Sequence, residues 1–221
     1  GIVNNFSKIV NFYHPKKTIL IAVNMNPRER NKRLLSYIKR NKLGKSSIAK
    51  WDIQPAKTHL KSIKEADIIF CFGNSFTYNS YVNCGTNQNK IKMFNYGSKL
   101  TPPAIKQCKR ITNQKKRRFL YLASEIGLRK GFDLIQDIFI RNKKLNFHLD
   151  IVGLPSNHFY KKSINQLTNI LGEKSTYHGW VIPNSKKHLN LLKMNDYFIF
   201  PSIEEGQVGS VVDAISYGLV P

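Results

Sequence analysis

Two short segments hold the residue types that could do chemistry. The first, Ala123-Ser-Glu-Ile-Gly-Leu-Arg-Lys-Gly131, leads into an apolar pattern of helical spacing. A helix start offers backbone N–H groups without intrahelical partners and the positive end of the helix dipole, and both suit a phosphate. Lys130 adds a full positive charge at that place, and Gly127 and Gly131 would let a ligand approach the backbone. Taken alone, this segment reads sooner as a plain strand-to-helix turn with solvated basic residues. The second segment, Pro201-Ser-Ile-Glu-Glu-Gly-Gln-Val-Gly-Ser210, continues into Val211-Val-Asp-Ala214. Glu205 would stand at the rim of a sheet, with Asp213 about one turn inside the next helix. Carboxylates at a rim can accept hydrogen bonds from sugar hydroxyls, while the N–H groups of Gly206, Gln207, Val208, Gly209 and Ser210 face anionic or hydroxyl oxygens. Helix capping, worth about 0.3–1 kcal/mol, accounts for one carboxylate but not for the constellation.

The elements that must position these segments emerge from periodicity. Strands are expected over Arg118–Ala123, Phe147–Val152 (ended by Gly153), Ser175–His178 and Tyr197–Phe200. Helices are expected over Lys130–Arg141, Asn157–Leu171 with Asn157 as N-cap, Ser185–Met194 and Gly209–Tyr217. Strands alternating with helices imply a parallel sheet wound on both faces, with ligands beyond the carboxyl ends of the strands. The first half is similar but less complete. It offers strands over Thr18–Val23, Asp67–Phe72 and Lys90–Asn95, and helices over Arg28–Lys42, Thr58–Glu65 and Phe76–Asn83, with Asn26-Pro27 as a helix start. Residues 97–116, with Pro102-Pro103 and Lys115-Lys116, read as a linker.

In order and spacing, residues 117–221 resemble glycosyltransferase family 4, retaining enzymes of the GT-B fold. Pro201-Ser-x-x-Glu205-Gly, Asp213-Ala214 and Gly218-x-x-Pro221 resemble its carboxyl-terminal signature, and Lys130-Gly131-Phe-Asp-Leu-Ile135 its phosphate-binding segment. Ile151-Val-Gly153 and His178-Gly179-Trp-Val181 look like its intermediate markers, and Ala66-Asp-Ile-Ile69 with Asn74 to Tyr81 like the end of its acceptor-side domain. The resemblance implies an α/β, GT-B-like chain of two Rossmann-like, doubly wound parallel-sheet domains. The acceptor-side domain, 1–96, would be incomplete, and the nucleotide-sugar domain, 117–221, nearly complete. It further implies that Lys130 neutralises a donor diphosphate and Glu205 contacts the donor sugar, these two being the catalytic candidates. The backbone from Gly206 to Ser210 would assist, Asp213 would hold the ribose, and Gly179, Trp180 and Val181 would meet the base. Two positions depart from the pattern. Asp213 stands where the family usually has Glu, and Ser124-Glu125 where it often has Arg, so Ser124 and backbone groups would complete the phosphate clamp.

Composition narrows the partners. The 221 residues are 41% hydrophobic, enough for a core, and no apolar run reaches the roughly 20 residues of a membrane-spanning helix. Gly1 and Pro221 read as the ends of a fragment. Cys71, Cys84 and Cys108 lack metal-ligand spacing and read as reduced thiols, and the six histidines form no metal pair. No metal or cofactor is therefore expected, only a nucleotide-diphosphate sugar as co-substrate, with UDP or GDP as the nucleotide. The net charge of +23 is uneven: residues 1–116 hold 23 Lys and Arg against four acids, and 117–221 hold 13 against nine. Seven basic side chains over 28–42 suit an anionic membrane surface or a solvated face equally, and the whole basic half suits a glycan or lipid-linked acceptor. No zinc-finger spacing, RNP-like strand or recognition helix supports nucleic acid as a partner. The expectation is a glycosyltransferase of cell-surface polysaccharide synthesis, cytoplasmic and peripheral on a membrane. The alternatives are an epimerase or a non-catalytic sugar-nucleotide binder of the same fold, and, further off, a basic nucleic-acid-binding protein.

Overall fold

A computed structural model describes residues 2–49, 52–53, 56–95, 97–98 and 116–221. The chain forms two compact units. One comprises Gly1–Leu43, Lys50–Tyr96 and Glu204–Val208, the other Gly44–Ala49, Gly97–Ile203 and Gly209–Pro221.

In the first unit, helix α1 (Ile2–Tyr13) precedes β1 (Ile19–Ala22), α2 (Pro27–Arg40), α3 (Ala56–Glu65), β2 (Ile68–Phe72), α4 (Ser75–Val82) and β3 (Ile91–Phe94). The strands form a parallel sheet in the order β1-β2-β3. Leu20 pairs with Ile69 and Ala22 with Cys71, and these side chains point into a core shared with Phe6, Ile63, Ala66, Tyr81 and Ile91. The strand starts are locked together. Thr18 donates to Asp67 Oδ2 through its N–H (2.7 Å) and its hydroxyl (2.8 Å), and the Asp67 N–H returns a bond to Thr18 Oγ1 at 3.0 Å. Helix α2 begins as expected at Asn26-Pro27: the Asn26 side chain accepts from the Arg28 N–H, and proline occupies the first turn. Helix α1 lies outside the elements expected from periodicity. No acid stands in its first turn and no base in its last, although Phe6, Ile9, Val10 and Tyr13 fall at helical spacing.

In the second unit β4 (Arg117–Ile126), α5 (Phe132–Arg141), β5 (Phe147–Pro155), α6 (His158–Leu171), β6 (Ser175–Tyr177), α7 (Lys186–Met194), β7 (Tyr197–Phe198) and α8 (Gly209–Ser216) alternate as expected. The order is β6-β5-β4-β7, with each pair parallel. On one face Leu120 and Val152 pack with Val181, Leu191, Leu192, Phe198, Ala214, Tyr217 and Leu219. On the other, Tyr121 meets Phe132 at 5.6 Å between ring centres, and Phe132 meets Tyr160 at 6.3 Å. Fully burying each such side chain contributes roughly 1.5–3 kcal/mol. Asn157 caps α6, accepting from the Tyr160 N–H at 3.1 Å.

Most boundaries fall within a few residues of those expected, and three of the differences bear on the site. Strand β5 does not end at Gly153. It runs to Pro155, because β4 and β5 resume pairing beyond an irregularity between Leu122 and Glu125. Strand β7 stops at Phe198, though the Ile199 N–H still donates to the Leu120 carbonyl at 2.9 Å. Lys130 is not in the helix that comes after it: a 3-10 turn over Leu128–Lys130 ends at Gly131 in the left-handed region, and α5 starts only at Phe132. The linker expected over 97–116 falls almost wholly outside the described residues.

Candidate functional site

The strand order fixes where a ligand can bind in the second unit. From β4 the chain winds to one side through β5 and β6, then returns to place β7 on the other side of β4. The connections leaving β4 and β7 therefore diverge at their carboxyl ends, and the crevice of an open parallel sheet lies there. Both chemically suggestive segments start from this point. They are stitched together: the carbonyl oxygen of Arg129 accepts from the Ser202 hydroxyl and the Ile203 N–H, both at 2.9 Å. Gly131 (φ 67°) packs so closely on Pro201 that a Cβ would collide with the Pro201 carbonyl oxygen and stand 2.8 Å from its carbon. The Tyr121 hydroxyl donates to the Lys130 carbonyl at 3.2 Å, and Lys130 Nζ lies 5.3 Å from the centre of the Phe200 ring. The Lys130 ammonium is thereby turned toward the β7 side.

Two helix starts could hold an anion here, and they are not equivalent. At α5 the N–H groups of Lys130 and Phe132 already donate to the Gly127 carbonyl (3.2 and 3.3 Å), and that of Gly131 to Leu128 (2.9 Å). Asp133 stands in the first turn of α5, where its carboxylate complements the dipole and repels an anion. Helix α8 opens on Gly209-Ser210 with no acid in its first turn. The N–H groups of Lys130, Gly131 and Phe132 are thus engaged within the turn, and Lys130 brings its charge to the same place.

The remaining candidate residues are scattered over the same rim or beside it. Ser124 is exposed at the irregular stretch of β4, and Gly127 is buried at that strand's end. Gly179 (φ 67°) comes after β6, and its carbonyl accepts from the Gly153 N–H at 2.9 Å. Trp180 is 48% exposed, whereas Val181 is 6% exposed and belongs to the core. Asp213 lies half-buried in α8, and the Ser98 hydroxyl donates to its Oδ1 at 2.5 Å.

Residues 204–208 pack with the first unit. A Cβ on Gly206 would collide with the Val23 carbonyl oxygen and stand 2.6 Å from that of Phe72, so this segment lies directly on the carboxyl ends of β1 and β2. The two adjacent glutamates differ. Glu204 is 3% exposed, with its Oε1 3.8 Å from Nε of Arg30, itself 3% exposed. Glu205, Gln207 and Val208 are half-buried. Sequence reasoning misses Glu204, and it counts Arg30 among the surface bases of α2. The helical spacing of Arg30 with Leu34 and Tyr37, which are also buried, is the signal that could correct it.

Sequence reasoning also misses a polar cluster inside the second sheet. Asp150, 1% exposed in the middle of β5, accepts from Arg118 Nη2 on β4 (2.8 Å) and from His178 Nε2 just after β6 (2.7 Å). His148 Nε2 lies 3.5 Å from the same carboxylate. Burial pushes the Asp150 carboxyl up. Hydrogen bonds from His178 and Asn195 and the charges of Arg118 and His148 outweigh this and hold it below the usual carboxylate range. Burial alone sets Cys71, whose thiol is pushed up to about 12, while Cys108 lies outside the described residues.

The α/β fold with its parallel sheets is that of GT-B glycosyltransferases. The apo form of the lipopolysaccharide outer core galactosyltransferase WaaB matches over 98% of this chain and 58% of its own, with a TM-score of 0.61 and 20% identity. TarM of S. aureus, in a variant complexed with fondaparinux, alpha-GlcNAc-glycerol and UDP, matches over 97% and 38% at 0.64 and 13%. HepE of Anabaena, complexed with UDP and glucose, matches over 97% and 60% at 0.59 and 13%. At these identities the likeness is one of fold, and the chain spans 38–60% of the length of these proteins. No protein-family model matches the sequence, and no curated protein sequence does.

Proposed function

We propose that this chain is the donor-side machinery and part of the acceptor side of a family 4, retaining glycosyltransferase. It would move a sugar from a nucleotide diphosphate to a glycan or lipid-linked acceptor in cell-surface polysaccharide synthesis. One observation carries the reading: the Lys130 turn and the chain leading into α8 leave the sheet at its topological switch point. As the glycosidic bond breaks, the electron pair stays with the diphosphate while the sugar becomes oxocarbenium-like. In this reading Lys130 and the α8 N–H groups stabilise the leaving charge, Asp213 takes the ribose, and the Gly179–Val181 loop takes the base. Glu205 is assigned to the sugar hydroxyls, with Gly206 to Ser210 beside it in sequence. The acceptor hydroxyl attacks the face that the diphosphate leaves and passes its proton to an oxygen of the departing diphosphate, so configuration is retained without a protein nucleophile. Incubation with an anomerically pure UDP-sugar or GDP-sugar and a glycan acceptor, with NMR of the product, tests this. Transfer with the anomeric configuration kept supports the proposal, and epimerised sugar without transfer replaces it.

The reading extends to a cytoplasmic location against an anionic membrane. Lys32, Arg33, Lys39 and Arg40 of α2 are exposed with Leu35 among them, while Leu34 and Tyr37 are committed to the interior, so adsorption would be chiefly electrostatic. Among the described residues no helix is long and apolar enough to cross a membrane. Retention on phosphatidylserine vesicles at low salt and release at high salt is expected, and failure to bind at low salt removes this part.

A further inference from the structure

Asp150 is out of place for a strand covered on both faces, which ordinarily reads as an apolar run. A buried carboxylate is costly unless it is paired and hydrogen-bonded. Here its two oxygens are divided between different elements. Oδ2 takes Arg118 on β4, which supplies the counter-charge, and Oδ1 takes His178 beyond β6. A carboxylate accepts only, so His178 Nε2 carries the proton.

From His178 the chain runs into a short loop of alternating exposure. The His178 side chain is 17% exposed against Asp150, Trp180 is 48% exposed, Val181 is 6% exposed in the core, and Ile182 is 68% exposed. The His178 N–H also donates to the Ile151 carbonyl at 2.9 Å, so the residue is tied to β5 by backbone and side chain together. Trp180 is thus held out between two inward anchors. An indole face presented in this way is a stacking platform, and aromatic stacking is a common means of holding a nucleobase. The loop lies after β6, two strands away from β4, a lateral offset of about 10 Å from the Lys130 turn at the usual strand spacing. An extended ligand with its phosphates near Lys130 can cover that offset.

We infer that Asp150 and His178 are positioning residues for nucleoside recognition: the buried carboxylate fixes His178, and His178 fixes the loop that presents Trp180 to the base. The assignment rests on the donor-site reading above. It names a split between the two ends of the ligand. The phosphate end depends on Lys130 and α8, and the nucleoside end on the Asp150–His178 anchor.

The test uses Trp51→Phe as background, leaving Trp180 as the single tryptophan. Binding of UDP and of inorganic pyrophosphate is measured by calorimetry, Trp180 emission is monitored, and amide exchange is read over 179–182. UDP, but not pyrophosphate, is expected to quench Trp180. His178→Ala should speed exchange in the loop and weaken UDP about 10-fold, with pyrophosphate affinity unchanged. His178→Gln, which keeps an N–H donor for Asp150, should recover most of the UDP affinity. Asp150→Asn is not the test, because it strips Arg118 of its buried counter-charge and endangers folding. If UDP and pyrophosphate weaken together in His178→Ala, the anchor is merely structural and the assignment falls. If both bind the background protein and His178→Ala changes neither, the assignment alone falls. If the background protein takes GDP in place of UDP, the same comparison is made with GDP, and if it binds none of UDP, GDP and pyrophosphate, the donor-site reading falls and takes the assignment with it.

Discussion

Replacing Gly131 with alanine probes the joint between the two loops at the switch point. The residue sits at φ 67°, ψ 30°, where a Cβ costs about 1–2 kcal/mol. The added methyl would also collide with the Pro201 carbonyl oxygen and stand 3.0 Å from its Cγ. Overpacking against backbone adds roughly 1–3 kcal/mol, for a total of about 2–5 kcal/mol. The shift that relieves the clash moves Pro201, and with it the Ser202 and Ile203 bonds to the Arg129 carbonyl. Gly85 provides the control, at the left-handed end of a helix where the Thr86 N–H reaches back to the Tyr81 carbonyl at 3.1 Å. It too has a positive φ, 84°, but a Cβ there meets nothing within 4 Å, so Gly85→Ala should cost only about 1–2 kcal/mol. Thermal unfolding by circular dichroism should show Gly131→Ala lowering Tm by on the order of 10 °C, clearly more than the control. UDP titration should show weaker binding for Gly131→Ala and little change for Gly85→Ala. Equal Tm losses in the two variants, with UDP affinity intact in both, would refute the close contact as the joint of the site.

Glu204 and Glu205 should separate by assay. Glu204→Ala removes the carboxylate beside the buried Arg30 guanidinium and should cost about 3–5 kcal/mol in urea unfolding, whereas Glu205→Gln should leave the urea midpoint in place and reduce sugar transfer. His59 makes stability depend on pH. Burial, aided by the Arg30 charge, lowers its pKa from 6.5 to about 4, so the folded protein holds the ring neutral. Its contribution is full above pH 6.5 and is lost as pH falls from 6.5 toward about 4. Urea midpoints at pH 7 and pH 5 should differ less in His59→Gln than in the wild type.

The elements of the second unit are legible in the sequence because each carries its own punctuation. Asn157 and Ser185 cap helices, Gly172 ends one, and short apolar runs alternate with helical spacing. Helix α1 carries helical spacing (Phe6, Ile9, Val10, Tyr13) but no complementary charge at either end, and its place is fixed by Phe6 reaching the core of the first sheet. In the site, residue types are readable and their duties less so. Lys130 and Gly131 stand out, but sequence spacing cannot reveal that a left-handed glycine detaches Lys130 from α5. Nor can it reveal that the N–H groups of Lys130, Gly131 and Phe132 are engaged within that turn. Adjacent glutamates look alike in a sequence, and only packing against Arg30 tells Glu204 from Glu205. The Asp150 cluster draws on β4, β5 and the turn after β6, a non-local arrangement that no local pattern encodes.

The central claim is that Lys130 faces a nucleoside diphosphate at the switch point of the second sheet. Calorimetric titration of UDP, GDP and ADP into the wild-type protein and Lys130→Ala tests it most directly. The account predicts that UDP or GDP binds and that the variant binds it about 10- to 100-fold more weakly, the loss of one charge-assisted contact. Equal binding by the two proteins, or no binding of any of the three by the wild type, would contradict it.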